Sequence, residues 1–216
     1  MSRTLAVCHT VHVLSLAVWL GVTLMTGAAA GIVFPTVKAM GPTAPAFAAY
    51  PNDAGQHGLI IAGKVASRYF LVHDVVQFVC CSAACVTLGV MLAASRRKGG
   101  TPAAAMGARV PLAALALTLV AYQLFVLGPE MMTNLSRHWG AAQAGRIDEA
   151  LAAKAAFDAN HPIATWVMAG TAVIVLALLV LAAWPGEVEA ARTGAAKQVK
   201  AGEALERPAL LKGTGA

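Results

Sequence analysis

The sequence predicts an all-α fold, an integral membrane four-helix bundle of up-down topology, and three observations predict it. Of 216 residues, 58% are hydrophobic and 12% charged, where a soluble domain carries about 25% charged residues. Mean hydropathy is +0.68. Four stretches, at about 5–34, 70–94, 110–127 and 163–184, are almost uninterrupted by charge, and about 18 or more apolar residues suffice to cross a bilayer as a helix. Asp74 is the single Asp, Glu, Lys or Arg inside them. Only helices and closed barrels satisfy the backbone in lipid, and these runs are too long for barrel strands.

The first stretch follows Arg3 and contains Ala28-Ala29-Ala30, the ingredients of a cleaved leader. A leader's apolar region runs about 7–15 residues, and this one is far longer, so it reads as a retained signal anchor. The next segment, 35–69, is an outer loop. Pro42, Pro45 and Pro51 make its first part irregular, while Leu59, Ala62, Ala66 and Phe70 at helical spacing predict an interfacial helix or an extension of the second span. The other outer loop, 128–162, is Ala-rich with Ile147, Leu151 and Ala155 in register, predicting one or two helices on the surface. Asn160-His161-Pro162 is expected to stop them and launch the last span. Residues 1–186 thus form one transmembrane domain, and 187–216, mixing charge with Ala and Gly, form a disordered tail.

The net charge of +6 and pI near 9.4 reflect topology rather than nucleic-acid binding, since cytoplasmic loops retain Lys and Arg. With the N-terminus inside, Arg3, Arg96, Arg97, Lys98, Arg109, Arg192, Lys197, Lys200, Arg207 and Lys212 fall on the cytoplasmic side. That leaves Lys38, Lys64, Arg68, Arg137, Arg146 and Lys154 outside. Both termini are expected in the cytoplasm, with the chain in the cell membrane (the inner one in a Gram-negative cell).

Polar residues on the spans are expected to face other helices. On the first helix His9, His12, Ser15, Trp19, Thr23 and Thr26 share a stripe. Gly21, Gly27 and Gly31 offer close helix packing, and Trp19 and Trp184 are read as interface anchors. The second helix places His73, Gln77, Cys80, Ala84 and Thr87 on one line, with Asp74, Cys81, Cys85 and Leu88 beside it. Asp74 is either a functional ionisable group or the partner of Arg68 or Lys64. Antiparallel depth suggests two groups. An outer polar cluster gathers His73, Asp74, Gln77, Tyr122, Gln123, Glu130 and His161; an inner group of His9, His12 and Cys85 has ligand types that suit soft metals or haem. The adjacent Cys80 and Cys81 point about 100° apart and cannot both aim at one ion. No catalytic residue is assigned, because no Ser-His-Asp order, phosphate loop or HExxH motif is present.

"VHVLSLAVWLGVTLMTGAAAGIVFP", with His12, Trp19-Leu20-Gly21 and Phe34-Pro35, resembles the first span of the transmembrane-protein-205-like family. The Gly128-Pro129 exit of the third span and Phe157 with His161 entering the last are similar to that family's patterns. His12 with Trp19 also resembles the first span of copper-resistance D-type four-helix proteins and of a haem-using membrane oxidase, whose helix-borne Arg and Lys have no evident counterpart. Three functional readings follow. The first is a multi-pass protein of unknown role whose polar cluster handles a small solute, proton or soft metal. The second, implied by the likeness, is a b-type haem or copper protein with His9 or His12 as ligand. The third is a structural partner that associates, as a homo-oligomer among other options, through small-residue packing. The lipid bilayer is the partner common to all three.

Overall fold

A computed structural model describes residues 3–97 and 104–183. Helix α1 spans Arg3–Ala39, α2 Gln56–Arg97, α3 Ala104–Tyr122, α4 Gly128–Gln143 and α5 Ile147–Ala183; a π turn, Gln123–Leu127, joins α3 to α4 without a break. The chain is therefore four long rods, each apolar enough to cross a membrane. Each packs on two neighbours in a closed ring, α1 against α2 and α5, and α3 against α2 and α5. The α2–α3 seam is the loosest of the four.

One repeat organises the interior. The buried positions of α1 are His12, Leu16, Trp19, Thr23 and Thr26; those of α2 include His73, Gln77, Cys80, Ala84, Thr87 and Met91. In the C-terminal half of α5 they are Thr171, Val175, Leu178 and Ala182. Alternating steps of four and three residues keep a stripe facing its partners in a gently left-handed bundle. The rest of each rod stays apolar and exposed: Met25, Ile32, Val86, Phe125, Trp166 and Val173 are each more than 60% accessible. Such a surface suits hydrocarbon and would aggregate in water.

Helix α5 is 37 residues long, about 55 Å at 1.5 Å per residue, against roughly 30 Å of hydrocarbon. The excess stands at the end that carries the 40–55 connection, hereafter the loop end. There a second core forms from Phe47, Tyr50, Ile60, Ala141, Ala142 and Ala150. His57 pins the connection: its Nδ1 accepts from the Ala44 amide at 3.1 Å and its Nε2 donates to the Tyr50 carbonyl at 2.9 Å. Burial raises the Tyr50 phenol above its usual pKa. Lys64 sits over the rings of Phe47 and Trp139, 4.9 and 5.4 Å from their centroids, a cation–π arrangement that lets an ammonium cap an apolar patch.

The helices run further than the apolar stretches alone indicate, and the prolines do not end them. Segment 35–69 is irregular only from 40 to 55, because α1 runs through Pro35 and α2 begins at Gln56. Segment 128–162 consists of α4 and the first turns of α5, separated only by residues 144–146. The α4–α5 corner is a glycine C-cap: Gly145 adopts φ 71°, and the Arg146 amide closes on the Ala141 carbonyl at 2.9 Å. Pro162 lies inside α5 and does not launch it. Long membrane helices tolerate proline because packing against neighbours outweighs one missing backbone bond. Gly128-Pro129 does not end the third rod either. The Gly128 amide bonds the Gln123 carbonyl five residues back, widening one turn where Pro129 has no amide to offer. The expected tail, Trp184 and residues 98–103 lie outside the described residues.

Candidate functional site

The seam repeat places polar side chains in two separate layers of the bundle. In the first, toward the termini, the buried His12 has Nδ1 3.1 Å from the Ala84 carbonyl and 3.2 Å from Thr87 Oγ1. The Thr87 hydroxyl itself donates back to the Ala83 carbonyl at 2.7 Å. Nδ1 therefore carries the proton, and Nε2 is buried with no hydrogen-bond partner among the described residues. Arg109, on the first turns of α3, is fully buried and donates to the Leu181 carbonyl of α5. Its charge is within electrostatic reach of His12.

The second layer lies eleven residues further along α1, about 16 Å at the helical rise. Thr23 Oγ1 stands 3.3 Å from His73 Nε2, and His73 Nδ1 stands 3.2 Å from Asp74 Oδ1. Gln77 Nε2 donates to the same carboxylate oxygen at 3.2 Å. His73 and Gln77 are buried, 5% and 3% accessible, whereas Asp74 keeps 27% of its side chain exposed. Thr23 donates its one hydroxyl hydrogen to the Trp19 carbonyl at 2.9 Å. The His73 ring therefore bridges the Thr23 hydroxyl of α1 and the Asp74 carboxylate on its own helix. The contrast with His57 is instructive: backbone groups occupy both of its ring nitrogens and hold one neutral tautomer, whereas His73 meets side chains only.

Between the layers the bundle is filled by Leu16, Trp19, Cys80, Cys81, Ala116, Val120, Val175 and Leu178, all buried. This plug contains no charge. Trp19 is 1% accessible and its indole nitrogen has no partner among the described residues. Its expected place as an interface anchor is thereby corrected: a seam position in mid-helix directs the ring to the core, not to the headgroups.

The remaining sequence-predicted residues separate. Of the outer cluster, His73, Asp74 and Gln77 come together. Gln123 lies on the π turn with a buried Oε1 that has no hydrogen-bond partner among the described residues. Tyr122, 38% accessible, points away from the core. Glu130 is exposed and accepts from Asn160 at 2.9 Å, and the exposed His161 rests against Phe157 with ring centroids 5.6 Å apart. Among the described residues Asp74 pairs with neither Arg68 nor Lys64: it is held by His73 and Gln77 of its own helix, and Lys64 lies over aromatic rings. Of the inner group, His12 and Cys85 are level, since His12 bonds the carbonyl of the residue before Cys85, and His9 is half-buried beside them. Among the described residues no three His, Cys, Asp or Glu side chains converge as a metal site would require. Gly21 and Gly31 face open space, and a Cβ on Gly27 would meet only Met168 at 3.9 Å. The glycines therefore do not draw the helices of this bundle together, because α1's contact stripe runs along other residues.

Arg109 was missed by sequence reasoning, which placed it in a loop. Its signal was available: from Arg109 the positions 113, 116, 120, 123 and 127 repeat the seam spacing. Thr23 was on the predicted stripe, but nothing in the sequence paired it with His73. Comparison with protein-family models, with curated protein sequences and with solved structures gave no match. What the fold itself establishes is the class: this chain is an all-helical, multi-pass membrane protein whose four apolar rods form a four-helix bundle.

Proposed function

We propose that this protein exchanges protons, or a small solute moving with them, at the Thr23–His73–Asp74–Gln77 layer, and that the loop end is the face from which the layer is reached. The observation that carries the reading is the His73–Asp74 pair itself. An ionisable couple inside a membrane segment is costly and persists where it serves a pathway. Here Thr23 and Gln77 extend the pair into a chain of hydrogen-bonding groups, and 27% of the Asp74 side chain stays exposed. The apolar plug below it blocks a continuous wet route, so turnover requires the plug to move. The excess of Lys and Arg near Arg96, Arg97 and Lys98 supports cytoplasmic termini, which puts the loop end outside. The likeness to transmembrane-protein-205-like proteins in the first span is compatible with this reading and adds no chemistry to it.

Sealed vesicles containing the full chain and an internal pH dye test it. An imposed proton gradient collapses faster than in protein-free vesicles, and D74N and H73Q return to the protein-free rate while E130Q keeps the wild-type rate. A wild-type rate equal to that of protein-free vesicles overturns the proposal.

Ligation of haem b or copper at His9 or His12 has one observation in its favour, the unpartnered Nε2 of His12 behind an Nδ1 fixed on a carbonyl, which is how metal-binding imidazoles are oriented. The residues present do not complete a copper site, for no third donor joins His12 and Cys85 among the described residues.

A further inference from the structure

The outward face of the rod formed by α3, the π turn and α4 changes character along its length. Val110, Leu115, Leu117, Phe125, Val126 and Met132 are each more than 40% accessible. From Val110 to Met132 the rod rises about 33 Å, which matches the roughly 30 Å of hydrocarbon in a bilayer. Beyond Met132 the same face carries Thr133, Ser136 and Arg137, all exposed. At the changeover Pro129, Met132, Thr133, Ser136 and Arg137 line a shallow cleft.

Depth and charge mark the polar end of this face as a place for a headgroup. Arg137 lies five residues past Met132, about 7 Å along the axis. A helical side chain leans toward its own N-terminus, here back toward the hydrocarbon. The guanidinium therefore stands in the headgroup zone, which is about 5–7 Å deep on each side of the bilayer. Glu130 is the one acid between 104 and 143, and it accepts from Asn160 of α5 at 2.9 Å. The other acids nearby serve α5 itself, Glu149 with Arg146 and Asp158 with Lys154. Among the described residues no carboxylate pairs with Arg137. The Thr133 hydroxyl donates its hydrogen to the Pro129 carbonyl at 2.8 Å, which leaves the Ser136 hydroxyl and the Arg137 guanidinium as the donors of the cleft.

We propose that this face holds one anionic phospholipid of the loop-end leaflet, with its phosphate on Arg137 and Ser136 and an acyl chain along Met132, Pro129 and Phe125. Phe125, Pro129, Met132 and Ser136 follow one another in steps of four, three and four, so they form one line, and a chain descending from the phosphate follows the rod. Arginine presents a planar fork that takes two phosphate oxygens at once. A zwitterionic lipid offers the same phosphate but sets a second cation beside Arg137, so the site prefers a headgroup with net negative charge. None of these residues belongs to the Asp74 layer, and the proposal is independent of the proton reading.

Native mass spectrometry of the full chain in mild detergent tests it, with dioleoylphosphatidylglycerol or dioleoylphosphatidylcholine titrated in. Wild type retains one phosphatidylglycerol per chain and binds phosphatidylcholine more weakly. R137Q lowers the affinity for phosphatidylglycerol about tenfold, the loss expected of one charge-assisted hydrogen-bonded contact. Its melt in lipid-free detergent stays that of wild type, because the side chain it replaces is exposed. R68Q, which removes another exposed arginine near the loop end, keeps the wild-type affinity. Equal affinity of wild type for the two lipids overturns the proposal, as does equal phosphatidylglycerol affinity of wild type and R137Q. Equal losses in R68Q and R137Q overturn it too, since they describe a diffuse positive surface and not a site.

Discussion

Removing the ring of Trp19 is the sharpest test of how the plug holds the two layers apart. Trp19 is 1% accessible and packs in one cluster with Leu16, Cys80, Ala116 and Val175. Its indole nitrogen has no partner among the described residues, so its contribution there is packing. Trp19→Ala leaves a cavity that a close-packed bundle fills only partly, and large-to-small core changes of this kind cost about 3–5 kcal/mol. Trp19→Phe removes an unpaired donor along with part of the ring, and a change that largely keeps volume costs under about 1.5 kcal/mol. Reversible unfolding in mixed micelles gives both values. The functional consequence follows from position: with the ring gone, the 16 Å or so between His12 and Thr23 loses its bulkiest obstacle, and vesicles containing W19A leak protons faster than wild type. If W19F destabilises the bundle as much as W19A, the indole N–H is bonded and the packing argument fails. If W19A leaves the leak rate unchanged, Trp19 is not the barrier.

His57→Ala strips the Ala44 amide and the Tyr50 carbonyl of their partners; about 2 kcal/mol of loop-end stability is lost, and hydrogen exchange across 40–56 accelerates while the membrane half is unchanged. Gly128→Ala drives a methyl into the Gln123 carbonyl at 2.7 Å and lowers the thermal midpoint, whereas Gly140→Ala, which meets open space on a helix, raises stability by up to about 1 kcal/mol through propensity. Lys64→Met removes the cation over Phe47 and Trp139 and costs about 1 kcal/mol; Lys64→Arg restores most of it in the same melt. Gly31→Leu adds its side chain on a helix face where a Cβ meets nothing within 4 Å, so the protomer's melt does not fall, and a shift in size on gel filtration under mild detergent identifies α1 as a surface between copies of the chain.

Some features of this protein follow from composition and spacing alone. With few charges and four long apolar runs, the chain has lipid for its solvent, and lipid leaves helices as the only way to satisfy a lone segment's backbone. The stripe of His12, Trp19, Thr23 and Thr26 followed from helical periodicity, as did the line of His73 and Gln77. Side-chain destinations did not. Trp19 reads as an anchor because tryptophan favours interfaces, yet its seam position outweighs that preference. Pro35, Pro129 and Pro162 read as helix ends, yet packing along the rods absorbs each missing amide.

Pairing across helices is where the tertiary structure alone decided. Whether Asp74 meets Lys64 or His73, whether Glu130 joins the layer or turns to Asn160, and whether Arg109 is a loop cation or a buried one depends on the axial offset and rotation of each rod against its neighbours. A shift of one residue turns a side chain by about 100°, and no property of a single helix sets that offset. The apolar runs determine that there are four rods in a membrane; the seam between them determines which polar atoms meet.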